Sequence, residues 1–453
     1  MINTRGKQPN ALVIGGGIAG IQAALDIADA GFQVCLVERS PSIGGRMAQL
    51  DKTFPTLDCS SCILTPKMVD VGRHPKINLL TYAEVANVQN VGASFHVQIK
   101  KKPRFIDVEK CKGCGLCAEA CRLNGRVASD FNAGISKRAA VYVPFPQAVP
   151  MVYTVDPDAC IYLTRGVCGK TFKCKEACPE EAIDFEQSPE FIEMDFDTIV
   201  IATGYDIFNP ILKPEFGYKT YPEVITTLEF ERLVSASGPT AGVISINGST
   251  PRRVVFIQCV GSRDRSLGLP NCSRVCCMAV AKQAHLAHQK LTDAEITVFY
   301  MDVRAFGKGF EEFYDRVRQE GVIYRRGNPS EIYRRGDHVV VRAEDTLLSE
   351  HIELEADLVV LAVGMLPRKD AGEIAGVLGI SNGTDGYFNE AHPNFRTVES
   401  SVPGIYLAGC CQSPKDIPDT VAHAKAAASA AMIFLTKNAS QNQEKTRILA
   451  AKL

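Results

Sequence analysis

Cysteines are the residues of this 453-residue chain whose type and spacing could do chemistry, and there are seventeen of them. Residues 111–121 read CKGCGLCAEAC, a C-x2-C-x2-C-x3-C run. Thiolates at this spacing can each bind one corner of an iron–sulfur cube. Zinc is the alternative, but four ligands within eleven residues is a poor zinc pattern. The run, Cys111, Cys114, Cys117 and Cys121, therefore predicts a [4Fe–4S] site.

A second set of cysteines follows at wider spacing. Cys160, Cys168, Cys174 and Cys178 are separated by seven, five and three residues, and Pro179 follows the last one. The set predicts a second [4Fe–4S] cluster, with one cluster plus a degenerate site as the alternative. Between the two runs, the prolines of residues 141–150 favour an extended surface segment.

A third set lies in the second half of the chain. Cys259 ends a predicted strand, and Cys272, Cys276 and Cys277 come where a helix should begin. The positive end of a helix dipole favours thiolates and an anionic cluster. We expect a third [4Fe–4S] site here, with buried cysteines or a redox disulfide as alternatives.

The elements around a glycine-rich turn predict dinucleotide binding. Residues 11–15 read as a buried strand, Gly15, Gly17 and Gly20 form G-x-G-x-x-G, a helix follows, and a second strand ends at Glu38. Gly15 permits the tight turn, Gly17 lets the backbone approach a pyrophosphate, and Gly20 lets the helix pack on the strand. The helix N-terminus would bind phosphate and Glu38 the ribose hydroxyls.

Two further segments indicate which dinucleotide binds. The Gly44-Gly45-Arg46 segment and the strand and turn at 197–206 resemble the FAD domain of thioredoxin-reductase-like flavoproteins. That resemblance implies FAD, and it implies that residues 402–434 return to the flavin with a helix N-terminus near its N1/C2=O edge. The residues expected around FAD are Gly15, Gly17, Gly20, Glu38, Arg39, Gly44, Gly45, Arg46, Thr203, Gly204, Gly409, Asp416, Thr420 and Val421.

Two residues near this C-terminal return need comment. Cys410 stands where the resembling family has an Asp that holds the ribityl chain, so Asp416 would replace that Asp or the contact would be lost. Lys415 is the nearest cation and is our candidate catalytic residue near flavin N5, with a solvated loop lysine as the alternative.

Residues 252–364 predict a second dinucleotide-like unit. Strands are expected in 252–264, 296–303 and 358–364. Cys259 occupies the first glycine position of its turn, so the pattern for a pyridine nucleotide fails there. We therefore do not expect NAD(P)H to bind this unit.

The second cysteine run ends C-x3-C-P and resembles a bacterial two-cluster ferredoxin, in which the fourth cysteine of each run ligates the other cluster. The resemblance implies that one cluster binds Cys111, Cys114, Cys117 and Cys178. It implies that the other binds Cys121, Cys160, Cys168 and Cys174.

Four segments together point to one family: residues 44–68 (GGRMAQLDKTFPTLDCSSCILTPKM), 259–264, 271–278 and 413–421. They resemble the A subunit of heterodisulfide reductases and its shortened relatives, including the A subunit of the quinone-interacting oxidoreductase complex. The resemblance covers nearly all of residues 9–435. It implies an FAD and [4Fe–4S] electron-transfer subunit that works with other subunits of such a complex and with a soluble electron donor or acceptor. A homodimer within the complex is a further expectation.

The predicted fold class is α/β, a thioredoxin-reductase-like flavoprotein with two dinucleotide-binding domains and an inserted α+β two-cluster ferredoxin domain. Its expected parts are the FAD domain (9–103, 191–250 with a linker, and 365–436), the ferredoxin insert (104–190), the second unit (251–364) and a tail (437–453).

Composition excludes several function classes. A net charge of −1 provides no field for nucleic acid or an anionic membrane. No apolar run has the length of a signal peptide core or a membrane span, so we expect a cytoplasmic protein that meets membranes only through partner subunits.

A self-contained NAD(P)H-dependent reductase and a cluster-bearing scaffold remain alternatives, and Cys59-x-x-Cys62 remains a candidate redox pair.

Overall fold

The computed structural model describes residues 10–92 and 94–450, with side chains described through residue 440 except residue 439. The described strands are β1 (Asn10–Ile14), β2 (Gln33–Glu38), β3 (Ile77–Thr81), β4 (Ala83–Val91), β5 (Ser94–Lys101), β6 (Val127–Ala128), β7 (Lys137–Arg138), β8 (Val141–Tyr142), β9 (Thr154–Val155), β10 (Glu190–Phe196), β11 (Thr198–Ile201), β12 (Asp206–Ile207), β13 (Val224–Thr226), β14 (Arg253–Val260), β15 (Glu295–Tyr300), β16 (Ile323–Arg326), β17 (Glu331–Arg335), β18 (His338–Asp345), β19 (Glu350–Ala356), β20 (Leu358–Val363), β21 (Met365–Leu366) and β22 (Ile405–Leu407). The described helices are α1 (Ile18–Asp29), α2 (Ser60–Arg73), α3 (Leu116–Glu119), α4 (Ile161–Arg165), α5 (Lys173–Glu176), α6 (Thr227–Val234), α7 (Cys276–Lys290), α8 (Phe310–Gln319), α9 (Ala371–Leu378) and α10 (Ile417–Ala450).

A parallel five-stranded sheet forms the first unit, in the order β22-β11-β1-β2-β3. Its strands are short apolar runs, as expected for a sheet that is covered on both faces. Helices α1 and α10 lie against the sheet and share a core in which Ala24, Ala427 and Ala431 are fully buried. Small side chains at this contact let the two helices approach each other closely, which brings the N-terminus of α10 to the glycine turn after β1.

A second parallel sheet has the order β13-β20-β14-β15-β16. Helices α6, α7 and α8 pack on it around Phe256, Val298 and Val360, each with no exposed surface. The chain thus contains two doubly wound α/β units, as the two apolar strand patterns predicted. An antiparallel sheet, β17-β18-β19, extends the second unit.

The cysteine-rich insert leaves and re-enters the first unit at neighbouring strands. Strands β5 and β10 pair antiparallel, with Lys101 opposite Glu190, so the two ends of the insert meet. Arg104, at its start, is 5% exposed and donates hydrogen bonds to the carbonyl oxygen of Pro41 (2.8 Å) and to the hydroxyl of Thr81 (2.5 Å). These buried bonds fix the insert to the first unit.

The expectation of an extended surface segment at 141–150 is wrong. Phe145 and Ala148 are 8% and 3% exposed. The ring of Phe145 stacks on that of Phe131 with centroids 4.6 Å apart. The segment turns at 146–147, where the Ala148 N–H donates to the Phe145 carbonyl at 3.1 Å, and its apolar side chains pack against the first unit.

The segment 437–453, expected as a separate tail, continues α10 as far as Ala450, and residues 451–453 lie outside the described residues. Within the described part of the chain, no helix is long and apolar enough to cross a membrane.

Candidate functional site

A cavity of about 680 Å³ lies where the two α/β units and the insert meet. Its walls come from the turn after β1, the end of β2, the segment after β11, the N-termini of α7 and α10, and the insert. The expected FAD residues that line it are Gly15, Gly17, Glu38, Arg39, Gly45, Arg46, Thr203, Gly204, Asp416 and Thr420. Gly20, Gly44, Gly409 and Val421 lie outside the lining.

The glycine turn has the geometry that each glycine was expected to provide. Gly15 has φ +108° and lies against the carbonyl of Ala202, and a methyl on Gly20 would overlap the carbonyl oxygen of Gly15. Gly17 precedes α1, and a methyl placed on it would meet no atom within 4 Å. The backbone at Gly17 therefore borders open space beside a helix N-terminus, which suits a pyrophosphate.

The carboxylate of Glu38 is held in place by the backbone. Its oxygens accept hydrogen bonds from the N–H groups of Gly16 (2.6 Å) and Ser40 (2.7 Å). Two backbone donors fix the carboxylate at the cavity wall, where acceptor capacity remains for hydroxyl groups. Arg39, also at the wall, pairs with Asp370 at 2.8 Å.

Thr203 supplies a further observation that fits a bound cofactor. Its hydroxyl is buried and has no hydrogen-bond partner within the described part of the chain. Buried polar groups are nearly always satisfied, so an orphaned hydroxyl in a cavity wall points to a ligand that completes it. The open glycine turn, the fixed carboxylate and this hydroxyl together fit a dinucleotide such as FAD.

Lys415, Cys410 and Thr420 belong to the part of the wall that the C-terminal return contributes. The Lys415 ammonium donates to the Ser413 hydroxyl at 2.7 Å, and burial lowers the pKa of Lys415. The Cys410 thiol donates to the Lys415 carbonyl at 3.4 Å. Lys415 is therefore a half-buried cavity residue and is not the solvated loop lysine of the alternative interpretation.

His423 holds the loop that carries these residues. Its Nδ1 accepts the N–H of Gly409 at 3.0 Å, so the ring is neutral with its proton on Nε2, which faces the Thr397 carbonyl at 3.3 Å. Burial, followed by the charge of Lys415, lowers the pKa of His423 to about 4. No ligand pattern in the sequence singled this histidine out.

The insert contributes a wall that sequence reasoning missed. Phe131, Arg138, Tyr142 and Phe145 line the cavity. The Arg138 guanidinium lies 3.7 Å from the centre of the Tyr142 ring and pairs with Asp156 at 2.7 Å. An aromatic and cationic wall suits a heteroaromatic ring.

A buried ion pair, also missed, lies at the junction of the units. The Lys282 ammonium is 2.6 Å from the Glu231 carboxylate, and the two side chains are 2% and 3% exposed. Lys282 also donates to the Lys52 carbonyl at 2.8 Å, and Glu231 accepts the Asp51 N–H at 3.0 Å. The pair joins α6 and α7 of the second unit to the chain before α2.

The third cysteine set borders the same cavity. Cys276, the first residue of α7, lines it. The pKa of Cys276 is raised by burial and then by Cys259, Cys277 and Cys272, so all four thiols of the set lie within electrostatic range of one another. Burial raises the pKa of Cys259 to about 11.

In the insert, cysteines of the first run lie beside cysteines of the second run. Burial, followed by the neighbouring Cys111, Cys178 and Cys114, raises the pKa of Cys117 to about 12. The remaining four, Cys121, Cys160, Cys168 and Cys174, line one small cavity of about 20 Å³. Each group thus takes its members from both runs, because α3 and α5 pack side by side.

The chemistry of these donor sets can be tested against iron–sulfur clusters. Thiols buried together are poor acids, and cationic metal ions are what makes such a group stable as thiolates. Among the described side chains, no three His, Cys, Asp or Glu groups converge on a single-ion site. A cube binds each thiolate through a different iron, and each of the three sets offers the four thiols that such a cube requires.

The remaining five cysteines have other surroundings. Cys59 and Cys62 form a disulfide. Cys35, Cys410 and Cys411 are free and buried, at 2%, 8% and 3% exposure.

Three family models match parts of the chain. They are "FAD dependent oxidoreductase" at residues 10–56, "4Fe-4S binding domain" at 104–124, and "Pyridine nucleotide-disulphide oxidoreductase" at 224–430. The matches support FAD and iron–sulfur clusters as cofactors, and they coincide with the glycine turn and the first cysteine run.

Curated relatives match most of the chain. The A subunit of the H(2):CoB-CoM heterodisulfide,ferredoxin reductase of Methanothermobacter marburgensis is 52% identical over 431 residues, which are 94% of this chain and 64% of the relative. The A subunit of the ferredoxin/F(420)H(2)-dependent CoB-CoM heterodisulfide reductase of Methanosarcina acetivorans is 44% identical, over 94% of this chain and 53% of the relative. The chain therefore spans less than two thirds of the length of these relatives.

Solved structures share the fold at low identity. Thioredoxin reductase of T. acidophilum matches 95% of this chain and 99% of its own, at 14% identity and a TM-score of 0.52. Thioredoxin reductase of Lactococcus lactis matches 95% of this chain and all of its own, at 15% identity and the same TM-score. The predicted thioredoxin-reductase-like arrangement of two dinucleotide-binding units is thereby confirmed.

Proposed function

Along 94% of its length this chain belongs with the heterodisulfide reductase A subunits, and we propose that it is an FAD- and [4Fe–4S]-containing electron-transfer subunit of a heterodisulfide-reductase-like complex. Bound FAD would exchange electrons in pairs and bound clusters would exchange them singly, so that together they connect two-electron and one-electron carriers. The protein's own part is to hold these groups, exclude water and set their surroundings.

The observation that carries the proposal is a shared wall. Gly17 and Thr203, on the proposed FAD side, line the same cavity as Cys276 of the third cysteine set. A flavin site and a cluster site that share one cavity can exchange electrons without a mobile carrier. Two separate, unconnected sites would not support this function.

We assign the binding roles as follows. The Gly17 backbone and the N-terminus of α1 bind the pyrophosphate, and Glu38 binds the ribose hydroxyls. Lys415 and the N-terminus of α10 place positive potential at the cavity, which would stabilise negative charge on a bound flavin ring. Asp416 lines the cavity and is our candidate for the ribityl contact, and burial raises the pKa of its carboxyl. The Asp416 carboxyl accepts the Asp419 N–H at 2.8 Å and therefore caps α10.

The three cysteine sets would hold three clusters. One set is Cys111, Cys114, Cys117 and Cys178; the second is Cys121, Cys160, Cys168 and Cys174; the third is Cys259, Cys272, Cys276 and Cys277. Arg263 lies beside the third set and pairs with Asp302 at 2.6 Å. Arg274, in the same segment, pairs with Asp419 at 3.1 Å and so joins this segment to the start of α10.

The terminal chemistry would belong to partner subunits. The names of the relatives refer to a CoB-CoM heterodisulfide and, for several of them, to ferredoxin. We propose that the final acceptor is a disulfide or a quinone-linked carrier on a partner, and that any membrane association comes through such a partner.

A self-contained NAD(P)H-dependent reductase is the second candidate, favoured by the family-model match at 224–430. The first turn of the second unit argues against it. Cys259 replaces the first glycine, and the Phe208 ring covers Gly261, where a phosphate would need to approach. Rapid bleaching of the flavin by NADH or NADPH alone would favour this candidate.

The proposal is tested by preparing the chain without oxygen and measuring iron, sulfide and flavin per chain. Three clusters and one FAD require about twelve iron atoms and one flavin. Cys276→Ser should lose about four iron atoms and keep its flavin, whereas Cys35→Ser, a buried cysteine outside the three sets, should lose none. A colourless, iron-free preparation would refute the proposal. Zinc bound in place of iron would identify the cysteine sets as zinc sites.

A further inference from the structure

The disulfide between Cys59 and Cys62 is a redox group that the proposed electron path does not use. The two residues are three apart in sequence, with Cα atoms 5.2 Å apart, and they lie at the start of the 14-residue helix α2. A bridge that closes so short a loop removes little entropy from the unfolded chain. Stabilisation of the fold is therefore a weak reason for its presence.

The two sulfur atoms have different surroundings. Cys59 is the N-cap of α2 and is half-buried, and its sulfur accepts the backbone N–H of Cys62 at 3.2 Å. The Ser61 hydroxyl lies 3.6 Å from the same sulfur. Cys62 is exposed, and Ile63 beside it is 44% exposed. A thiolate at Cys59 is thus stabilised by the helix N-terminus, while the Cys62 sulfur is open to an incoming group.

We propose that Cys59 and Cys62 form a thiol–disulfide exchange site whose substrate is a dithiol. A thiolate of the dithiol attacks the Cys62 sulfur, the Cys59–Cys62 bond breaks, and Cys59 leaves as the thiolate held by the helix N-terminus. The second thiol of the substrate then attacks the substrate sulfur that is bonded to Cys62, and Cys62 is released as a thiol. The substrate ends as a disulfide, the protein gains both electrons as two thiols, and the two protons pass from substrate to Cys59 and Cys62.

The site has a short structural connection to the cavity. The backbone of Cys59 pairs with that of Lys52, and the Ser60 hydroxyl donates to the Met47 carbonyl at 2.7 Å. Lys52 and Met47 both line the cavity. The loop 51–60 therefore connects the two sites: Cys59 lies near its C-terminal end, and Lys52, near its N-terminal end, lines the cavity.

The first experiment uses the anaerobic holoprotein and needs no variant. Brief treatment with reduced glutathione, quenching and peptide mapping should find the glutathione adduct on Cys62 and not on Cys59. Equilibration across mixtures of reduced and oxidised dithiothreitol should interconvert the pair reversibly. The buried Cys410 and Cys411 should stay thiols throughout, with flavin and iron retained.

Three results would overturn the proposal: adducts on Cys59, a pair that stays bonded in fully reduced buffer, or a pair that stays as thiols in fully oxidised buffer. Because these readouts follow two named sulfur atoms, they do not depend on the assignment of FAD or of the clusters.

Variants then test the order of attack. Cys59→Ser keeps the exposed Cys62 and should accumulate a mixed disulfide with glutathione disulfide, and Cys62→Ser, which keeps the half-buried Cys59, should accumulate less. Cys35→Ser is the matched control and should behave as the native chain. Equal adduct formation in the two variants would remove the asymmetry on which the mechanism rests. Faster reduction by a protein dithiol of C-x-x-C type than by dithiothreitol would assign a protein substrate, and the reverse order a small one.

Discussion

A single methyl group at Gly17 should separate cofactor binding from folding. In the flavin-free chain an added methyl meets no atom within 4 Å, and the φ of −76° is open to any residue. The cost of alanine at this helix N-cap is about 1 kcal/mol or less. The methyl would, however, project where we place the pyrophosphate, and such overpacking costs about 1–3 kcal/mol. We therefore expect Gly17→Ala to bind FAD roughly 5- to 150-fold more weakly, with little change in the melting temperature of the flavin-free protein.

The assay is titration of flavin-free protein with FAD, followed by quenching of flavin fluorescence, beside thermal unfolding of the same sample. Gly372→Ala is the matched control, because Gly372 lies in α9 with no atom within 4 Å of the added methyl and lies outside the cavity. Native affinity in Gly17→Ala would show that the pyrophosphate does not lie at this turn. An equal loss in Gly372→Ala would show that the effect is not local.

Other substitutions test the wall around the cavity. Gly20→Ala should lower the melting temperature even without flavin, by about 1–3 kcal/mol of stability, because its methyl overlaps the Gly15 carbonyl; an unchanged flavin-free melting curve would contradict the packing described. Lys282→Met should cost about 3–5 kcal/mol because it leaves the buried Glu231 carboxylate uncompensated, and adding Glu231→Gln should recover part of the lost melting temperature. Because burial lowers the pKa of His423 to about 4, from 6.5 in the unfolded chain, its contribution to stability is complete above pH 6.5 and is lost as pH falls towards 4. His423→Gln should flatten that part of the melting-temperature profile, and an unaltered slope would assign it to other groups.

The sequence predicted those parts of the site that depend on local spacing. The glycine turn, the strand that ends at Glu38 and the start of α7 at Cys276 all lie where periodicity and motif put them. Each of these features is determined within about thirty residues by strand, turn and helix geometry. Local chemistry suffices for them because no distant contact is needed to fix the backbone.

The parts that sequence reasoning missed depend on distant contacts. Phe145 was expected at the surface, but its ring packs on Phe131 and both line the cavity. No motif in the sequence singles out Glu231 or Lys282, yet they are buried together once α6 and α7 meet the loop before α2. The resemblance of the cysteine runs to ferredoxins implied which cysteines of the two runs group together. No spacing rule, however, could place Cys276 at the wall of the first unit's cavity.

In our assignment, the two α/β units use one local frame to bind two kinds of anion. In the first, the chain passes from β1 through Gly15 to the N-terminus of α1, which leaves room for a phosphate. In the second, it passes from β14 through Cys259 to α7, whose first two residues are Cys276 and Cys277. Cys259 adopts a left-handed φ of 62° there, which is unusual for a residue with a side chain. In our assignment, thiolates and their cluster take the place of the phosphate at the positive end of the helix, because the dipole stabilises either anion. Loss of a nucleotide motif in the second unit is therefore consistent with gain of a redox centre, and the two helix N-termini then face one cavity.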